Sequence, residues 1–303
     1  MADSTGTGAR PPGWRGLLSA RVILVALAAG AGPSARADMA VAAGTAPDAR
    51  TALDACTCRA TWSSRRLGPF GQDAFRLADG GLVRLVDLRL PGPGPAEARV
   101  LAVLAGFSGE EAQVGAVGEP DRWERVPAIL QSGRERPVDL AELLVGEGLA
   151  LVDAGARDAL CRPALLATEA AARLARRGLW ASDDAVLRAQ DTVALAAAAG
   201  RFVVVTGRIV SVGVRRDRTY LNFGRDWARD FAVTIPRRSW STLAARGHTA
   251  ESLRGATVRV RGYVEMRRAP GLDLVAADML EVVSPRRAPN AATRGDHDRH
   301  DDP

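Results

Sequence analysis

Two arginines in short charged motifs are the residues whose types and spacing are best suited to chemistry. Arg84 lies in the segment Gly81–Pro91, which reads Gly-Leu-Val-Arg-Leu-Val-Asp-Leu-Arg-Leu-Pro. Arg125 ends the motif Asp121–Arg125, which reads Asp-Arg-Trp-Glu-Arg. A guanidinium group keeps its positive charge and can donate two parallel hydrogen bonds to a phosphate. Two such groups facing one cleft would therefore stabilise negative charge on a phosphate ligand.

Both segments resemble the signature stretches of the staphylococcal-nuclease-like (thermonuclease) family. The resemblance extends over about 59–181, where Gly146–Ala150 (Gly-Glu-Gly-Leu-Ala) and Arg176–Trp180 (Arg-Arg-Gly-Leu-Trp) also resemble family members. In that family two aspartates and a backbone carbonyl bind Ca²⁺, and a glutamate positions or deprotonates the attacking water. Two arginines stabilise the charge that develops on the phosphate. The resemblance therefore implies phosphodiester chemistry, with Arg84 and Arg125 as the catalytic arginines and Ca²⁺ as the cofactor.

Most of the carboxylates that this chemistry requires are missing. The position of the second aspartate holds Arg89, the threonine after it is replaced by Leu90, and the glutamate position holds Gly92. The first aspartate falls on Asp73, whose neighbours depart from the family pattern. An arginine at a calcium ligand position removes an oxygen and adds a positive charge, and such repulsion costs on the order of several kcal/mol at a partly buried site. The active site is predicted to be degenerate.

Two carboxylates offer an alternative metal site. Asp87 lies two residues before Arg89, so on a strand both side chains would face the same side, and only a bulge would bring Asp87 to the ligand position. With Asp73 it could form a rearranged site. Glu97 could replace the missing base, although it lies beyond a Pro-Gly loop at the start of a predicted helix.

The two arginines also allow a purely structural interpretation. A buried arginine that pairs with an acid such as Asp121 or Glu124 can serve the fold alone. Without the full set of carboxylates, that interpretation and simple phosphate binding both stay open.

The N-terminal residues resemble a secretory signal. Arg15 and Arg21 supply a positively charged region, and the short apolar run Val22–Ala29 follows it. Ala35–Ala37 fits a cleavage site between small residues. We therefore expect residues 1–37 to be removed and the protein to be periplasmic or secreted, with no membrane span after cleavage. The alternative is a retained N-terminal anchor.

The cysteine count supports a disulfide in an exported protein. The chain has three cysteines, Cys56, Cys58 and Cys161. Cys56 and Cys58 are too close to pair comfortably, so Cys161 is expected to pair with one of them. Three cysteines without a nearby histidine do not suggest a zinc site.

The pattern of apolar residues predicts a mainly β, α+β protein. The family resemblance implies a first five-stranded barrel of the oligonucleotide-binding (OB) type with packed helices, and five predicted strands with a helix between the third and fourth predict a second OB-type barrel. The expected segments are a signal peptide (1–37), a flexible lead-in (38–58), a thermonuclease-like domain (59–181), a linker (182–199), an OB-like domain (200–283) and a disordered tail (284–303).

The second barrel is predicted to carry a basic surface. Residues 59–181 contain 16 Arg and 16 acidic residues, whereas residues 200–283 contain 15 Arg and 8 acidic residues, a net charge of +7. Arg259 and Arg261 alternate with valines, so we expect them to share one outward face, while Phe223 and Phe231 are expected in the core. Basic and aromatic residues together are typical of single-stranded nucleic-acid binding. The predicted binding residues are Arg208, Arg259, Arg261, Tyr220 and Trp227.

Three functions are compatible with these patterns. The first is an exported thermonuclease-like protein that binds nucleic acid, more specifically single strands, with little or no Ca²⁺-dependent cleavage. The second is an active phosphodiesterase with a metal site rebuilt from Asp73 and Asp87. The third is a structural or protein-interaction module of the cell envelope.

Overall fold

The fold is described from a computed structural model, which covers residues 58–133, 137–226 and 228–284. The predicted signal peptide, Cys56, Trp227 and residues 285–303 of the predicted tail lie outside the described residues. The architecture is mainly β with a few helices, so this part of the predicted fold class is confirmed. No helix of the described ranges combines the length and apolar character needed to span a bilayer.

A six-stranded sheet forms the N-terminal lobe, in the order β3-β2-β1-β5-β6-β7, and β3 also pairs with β6. Its strands are β1 (Thr61–Gly71), β2 (Ala74–Leu77), β3 (Leu82–Leu85), β5 (Glu111–Ala116), β6 (Arg125–Ser132) and β7 (Val138–Asp139). The sequence pattern does not predict the longest of them, β1. Its residues Thr61–Arg66 are mostly exposed and polar, so they lack the alternation that marks a half-buried strand.

The helices of this lobe pack against the sheet and hold a second, two-stranded sheet. They are α1 (Pro95–Ala105), α2 (Leu140–Gly146) and α3 (Leu165–Leu174), and the small sheet pairs β4 (Leu88–Arg89) with β8 (Leu151–Val152). Asp139 directly precedes an apolar helical pattern, so the sequence predicts that it caps α2. The structure confirms this cap, because the Asp139 carboxylate accepts a hydrogen bond from the amide of Glu142 at 3.0 Å. The spacing of apolar residues in α3 predicts that Leu174 faces inward, but Leu174 is exposed, whereas Glu169 is fully buried.

The C-terminal lobe consists of two sheets, with strand orders β17-β14-β10-β9 and β11-β12-β13-β16-β15. The alternation of apolar residues predicts single strands over 202–214 and 272–283, but each of these segments divides between the two sheets. The first breaks at Ile209–Val210, where the amide of Ile209 bonds to Ala256 and that of Val210 bonds to Asn222. The strands are β9 (Leu187–Arg188), β10 (Phe202–Arg208), β11 (Ser211–Val214), β12 (Arg218–Asn222), β13 (Ala232–Pro236), β14 (Thr257–Tyr263), β15 (Glu265–Met266), β16 (Pro270–Asp273) and β17 (Leu280–Ser284).

Short helices complete this lobe. They are α4 (Thr192–Ala197), α5 (Arg237–Ala245), α6 (Ala250–Leu253) and three 3-10 segments, Gly178–Ala181, Asp183–Ala185 and Ala277–Met279. The stretch 182–199, expected as a linker, instead supplies the edge strand β9 and helix α4. Leu195 from this stretch is fully buried, so these residues belong to the core of the lobe. Phe223 and Phe231 lie in the same core, as predicted.

A buried ionic cluster joins the two lobes. Arg261 on β14 is fully buried and donates to Glu169 of α3 and to Glu281 of β17. Glu169 also accepts a hydrogen bond from the amide of Val152 at 2.8 Å. Arg259 donates to Glu281 at 3.1 Å. The cluster therefore fixes α3, β8 and the four-stranded C-terminal sheet relative to each other.

One disulfide joins Cys58 to Cys161, which resolves the alternative left open between Cys56 and Cys58. It links the start of the described chain to the loop before α3. A disulfide is compatible with an exported protein, because such bonds persist in oxidising compartments.

Candidate functional site

A cleft of about 350 Å³ opens where β3, β4, the 121–125 turn and the 153–157 loop meet. Phe70, Leu88 and Trp123 supply part of its apolar wall. Its charged lining consists of four arginines and four aspartates: Arg84, Arg89, Arg125, Arg157, Asp73, Asp87, Asp121 and Asp153. The fold therefore brings together both predicted catalytic arginines and both predicted metal ligands.

Arg84 and Arg125 lie on adjacent strands and converge on one carboxylate. Strands β3 and β6 run parallel, with Leu82 opposite Arg125 and Arg84 opposite Pro127. The Nε and Nη2 atoms of Arg125 lie 2.9 and 2.8 Å from Oδ2 of Asp121, and Nε of Arg84 lies 3.8 Å from the same oxygen. Two guanidinium groups thus share one acidic partner, so the positive charge at this end of the cleft is only partly balanced.

The turn between β5 and β6 is built around the same aspartate. Oδ1 of Asp121 accepts hydrogen bonds from the amides of Trp123 at 2.9 Å and Arg125 at 3.1 Å. Although burial opposes it, these bonds and the Arg125 side chain hold the pKa of Asp121 below its ordinary value. Glu124, the other acid considered from the sequence, adopts a left-handed backbone conformation in this turn. Asp121 is the acidic partner of both arginines.

The acid limb of the stability curve should report on this carboxylate. A lowered pKa means that the native state favours the charged form, so its contribution is complete above the ordinary value of about 4 and is lost as the pH falls through the folded value. Asp121→Asn keeps an oxygen for the turn amides but loses the charge. We expect this variant to be less stable at neutral pH and to show a shallower loss of stability below about pH 4, measured by urea unfolding. Asp158→Asn, at an exposed ion pair, is the control, and an acid limb identical to the wild type in Asp121→Asn would contradict the assignment.

Of the four arginines that line the cleft, Arg84 is the one that makes no hydrogen bond with the described residues. Its 3.8 Å ion pair with Asp121 is too long for a hydrogen bond, and its Nε is buried without a hydrogen-bond partner in the described structure. Burial lowers the pKa of Arg84, and the neighbouring charge of Arg125 lowers it further. An anion bound between Arg84 and Arg125 would relieve that repulsion and satisfy the free donors.

Asp87 makes structural contacts through both of its carboxylate oxygens. Its backbone is left-handed (φ 62°), and the residue is 2% exposed. Oδ2 accepts from the amide of Arg162 at 2.7 Å, while Oδ1 accepts from the amide of Cys161 at 3.2 Å and pairs with Arg157. Burial raises the pKa of Asp87, and Arg157 with the two amides opposes that effect. Both oxygens are therefore committed to holding the disulfide-bonded loop.

Arg89, at the expected calcium ligand position, is also held by an acid. Its Nε and Nη2 donate to Oδ2 of Asp153 at 3.1 and 2.8 Å, and Asp153 is only 7% exposed. Glu97 lies in the first turn of α1 and does not line the cleft. Asp73 lines it from the β1–β2 turn, with a left-handed backbone. Within the described ranges, no three Asp, Glu, His or Cys side chains cluster as a metal site would require.

The residues predicted to bind nucleic acid on the C-terminal lobe do not form one surface. Arg261, expected to face outward, is fully buried, and Arg259 is hydrogen-bonded to Glu281. Arg259 and Arg261 share one face of β14, since both contact Glu281, but Glu169 of α3 packs on that face and pairs with Arg261. Arg208 is exposed and donates to the carbonyl of Gly255, whereas Tyr220 lies half-buried on β12 in the other sheet.

Sequence reasoning does not find Asp153 and Arg157, two charged residues of the cleft. They follow β8 in the motif Asp-Ala-Gly-Ala-Arg (153–157) and are far in sequence from their partners, Arg89 and Asp87. An Asp two residues before a Gly at the end of a strand indicates a turn, and Asp153 indeed accepts from the amide of Gly155 at 2.8 Å. That signal predicts the turn but not the ion pairs.

Comparison with known proteins adds no assignment to this geometry. Neither a protein-family model nor a curated protein matches the chain. The function must therefore be argued from the cleft itself.

Proposed function

We propose that this chain is an exported, thermonuclease-like protein that binds nucleic acid through its phosphates and has little or no Ca²⁺-dependent nuclease activity. One observation carries the proposal. Arg84 and Arg125 converge on the single carboxylate of Asp121 in a cleft, and the terminal guanidinium nitrogens of Arg84 make no hydrogen bond with the described residues. Guanidinium groups in this arrangement match the oxygens of a phosphate group.

The residues present do not fit a calcium site. Calcium in proteins takes six to eight oxygen ligands, commonly from several carboxylates. Here Asp87, Asp121 and Asp153 each hold an arginine, and the second ligand position is Arg89 itself. Of the four aspartates that line the cleft, Asp73 is the one without an arginine partner among the ion pairs of the described residues. We therefore expect no calcium-stimulated cleavage of plasmid or RNA by the wild-type protein. Robust calcium-dependent nicking that Asp73→Asn abolishes would favour the rearranged phosphodiesterase instead.

The proposal extends to the two lobes as OB-type folds. In the N-terminal lobe, β1 pairs antiparallel with β2 and β5, and β3 pairs in parallel with β6. The C-terminal lobe repeats this pattern, because β10 pairs with β14 and β13 pairs in parallel with β16. A helix pair also lies between its third and fourth main strands. The repeated pattern supports OB-type topology, a fold that often binds oligonucleotides.

The proposal predicts that single-stranded binding depends on the two cleft arginines. Replacing Arg84 and Arg125 together by alanine should weaken binding of a short fluorescent single-stranded oligonucleotide by at least about tenfold, since hydrogen bonds to charged groups contribute about 1.5–3 kcal/mol each. Fluorescence anisotropy over a range of salt concentrations measures both the affinity and its salt dependence. Loss of one phosphate contact should reduce the slope of log K against log salt by about 0.7.

A matched variant controls for net charge. Arg99→Ala with Arg188→Ala removes the same two charges from exposed positions outside the cleft. This control should bind nearly as tightly as the wild type. Equal losses in both double variants would mean that binding is diffuse, and absence of binding at low salt would favour the envelope-module function.

A further inference from the structure

Arg89 connects the phosphate cleft to an aromatic pair on the C-terminal lobe. Its Cζ atom lies 5.2 Å from the ring centroid of Tyr263 and 5.8 Å from that of Phe202. The two rings meet edge to face, with centroids 5.5 Å apart and planes at 79°. Since Asp153 fixes the same guanidinium group through two hydrogen bonds, this cation-π arrangement is held in place from both sides.

Tyr263 retains a large free surface beside the cleft. The residue is 44% exposed at the end of β14, opposite Phe202 on β10. Burial raises the pKa of the Tyr263 hydroxyl, Arg89 lowers it, and Asp153 and Asp73 raise it. Arg89 lines the cleft, and its guanidinium carbon lies 5.2 Å from the Tyr263 ring centroid, so the tyrosine borders the Arg89 side of the cleft.

The position of this ring relative to the arginines suggests a use. Arg84, Arg89 and Arg125 line the same cleft of about 350 Å³. A phosphate bound by Arg84 and Arg125 would therefore share this small cleft with Arg89. Each nucleotide unit carries a flat aromatic base next to its phosphate, and a base stacked on an aromatic side chain contributes about 1–3 kcal/mol. Inorganic phosphate or polyphosphate has nothing to place on such a ring.

We propose that both lobes build the ligand site: Arg84 and Arg125 hold a phosphate, and Tyr263, backed by Arg89, stacks the adjoining nucleobase. This inference rests on the proposed phosphate binding and narrows its ligand to a base-bearing single strand. It also transfers the nucleic-acid role of the C-terminal lobe from Arg261 and Tyr220 to the rim of the cleft. Tyr263 becomes a specificity residue that distinguishes nucleic acid from other polyanions.

The experiment compares a single-stranded oligonucleotide with an abasic strand of the same length and charge. The wild type should bind the base-bearing strand about tenfold more tightly than the abasic strand. Tyr263→Ala and Tyr263→Leu should both lose that preference while keeping the affinity for the abasic strand. Tyr263→Phe should retain the preference, because the ring and not the hydroxyl does the stacking.

Tyr220→Ala serves as the control, since it removes a tyrosine from the other sheet of the same lobe. Equal binding of the two strands by the wild type, with dependence on Arg84 and Arg125 intact, overturns the stacking inference and leaves the proposed function standing. A Tyr263 variant that weakens both strands equally also overturns it, because the ring would then act only through the packing of the lobes. Failure of the wild type to bind either strand overturns both proposals.

Discussion

Replacing Glu169 by alanine should lower the free energy of unfolding by about 3–5 kcal/mol, the range for breaking a buried ion pair by removal of one partner. Glu169 is fully buried and accepts from both Arg261 and the amide of Val152. Its removal leaves the Arg261 guanidinium with only Glu281 and leaves a buried amide without its acceptor. Urea or guanidinium unfolding followed by circular dichroism gives the change.

Two further variants separate the loss of the ionic cluster from the general effect of replacing a helical glutamate. Glu142→Ala, at an exposed position of α2, should change the stability by less than about 0.5 kcal/mol. Glu169→Met combined with Arg261→Met removes both charges together and leaves Arg259 with Glu281, so it should be less destabilised than Glu169→Ala alone. A cost below about 1 kcal/mol for Glu169→Ala would show that the cluster does not hold the lobes together.

Loss of the disulfide should be comparably costly. Cys58 and Cys161 are separated by 103 residues, and a cross-link over a loop of that length stabilises a protein by about 4–5 kcal/mol in the chain-entropy model. The double variant Cys58→Ser with Cys161→Ser should lose about that much free energy of unfolding. Wild-type protein measured under reducing conditions should show a similar loss.

Thiol counting provides an independent check on the pairing. Non-reduced, unfolded wild-type protein should contain one reactive thiol, and reduction should raise the number to the three of the sequence. Cys56→Ser should remove the single thiol and keep the disulfide. Three reactive thiols without reduction would contradict the assignment.

The sequence predicts the local features of this fold well, because they depend on short-range chemistry. The cap at Asp139 and the placement of Phe223 and Phe231 in the core follow from residue types and alternation. Strand β1 was missed because its polar, exposed first half carries no alternation. The breaks within the predicted strands near Ile209 and after Asp273 follow from pairing with two sheets, which only the tertiary structure determines.

The residues of the candidate site that lie in short motifs could be predicted from the sequence, whereas their distant partners could not. The motif residues Arg84 and Arg125 and the possible partner Asp121 could be identified because they lie in two short segments. The partners of Asp87 and Arg89 could not, since they are 64 to 75 residues away along the chain. The prediction that Arg261 lies on an outward surface was wrong. Alternation identifies which residues of β14 share a face, but it does not show that Glu169 of α3 packs on that face.

Two glycines allow two backbone segments to cross at very short distance. Gly148 and Gly178 have left-handed backbones (φ 65° and 51°), and the amide of Leu179 donates to the carbonyl of Gly148 at 2.8 Å. A methyl group on Gly148 would lie 2.2 Å from the carbonyl oxygen of Arg177, and one on Gly178 would lie 2.3 Å from that of Gly148. This close backbone crossing requires glycine at both positions, and the requirement does not depend on whether a metal is bound. Sequences that share Gly-Glu-Gly-Leu-Ala and Arg-Arg-Gly-Leu-Trp would therefore share a way of packing two backbone segments, which by itself does not imply a shared chemistry.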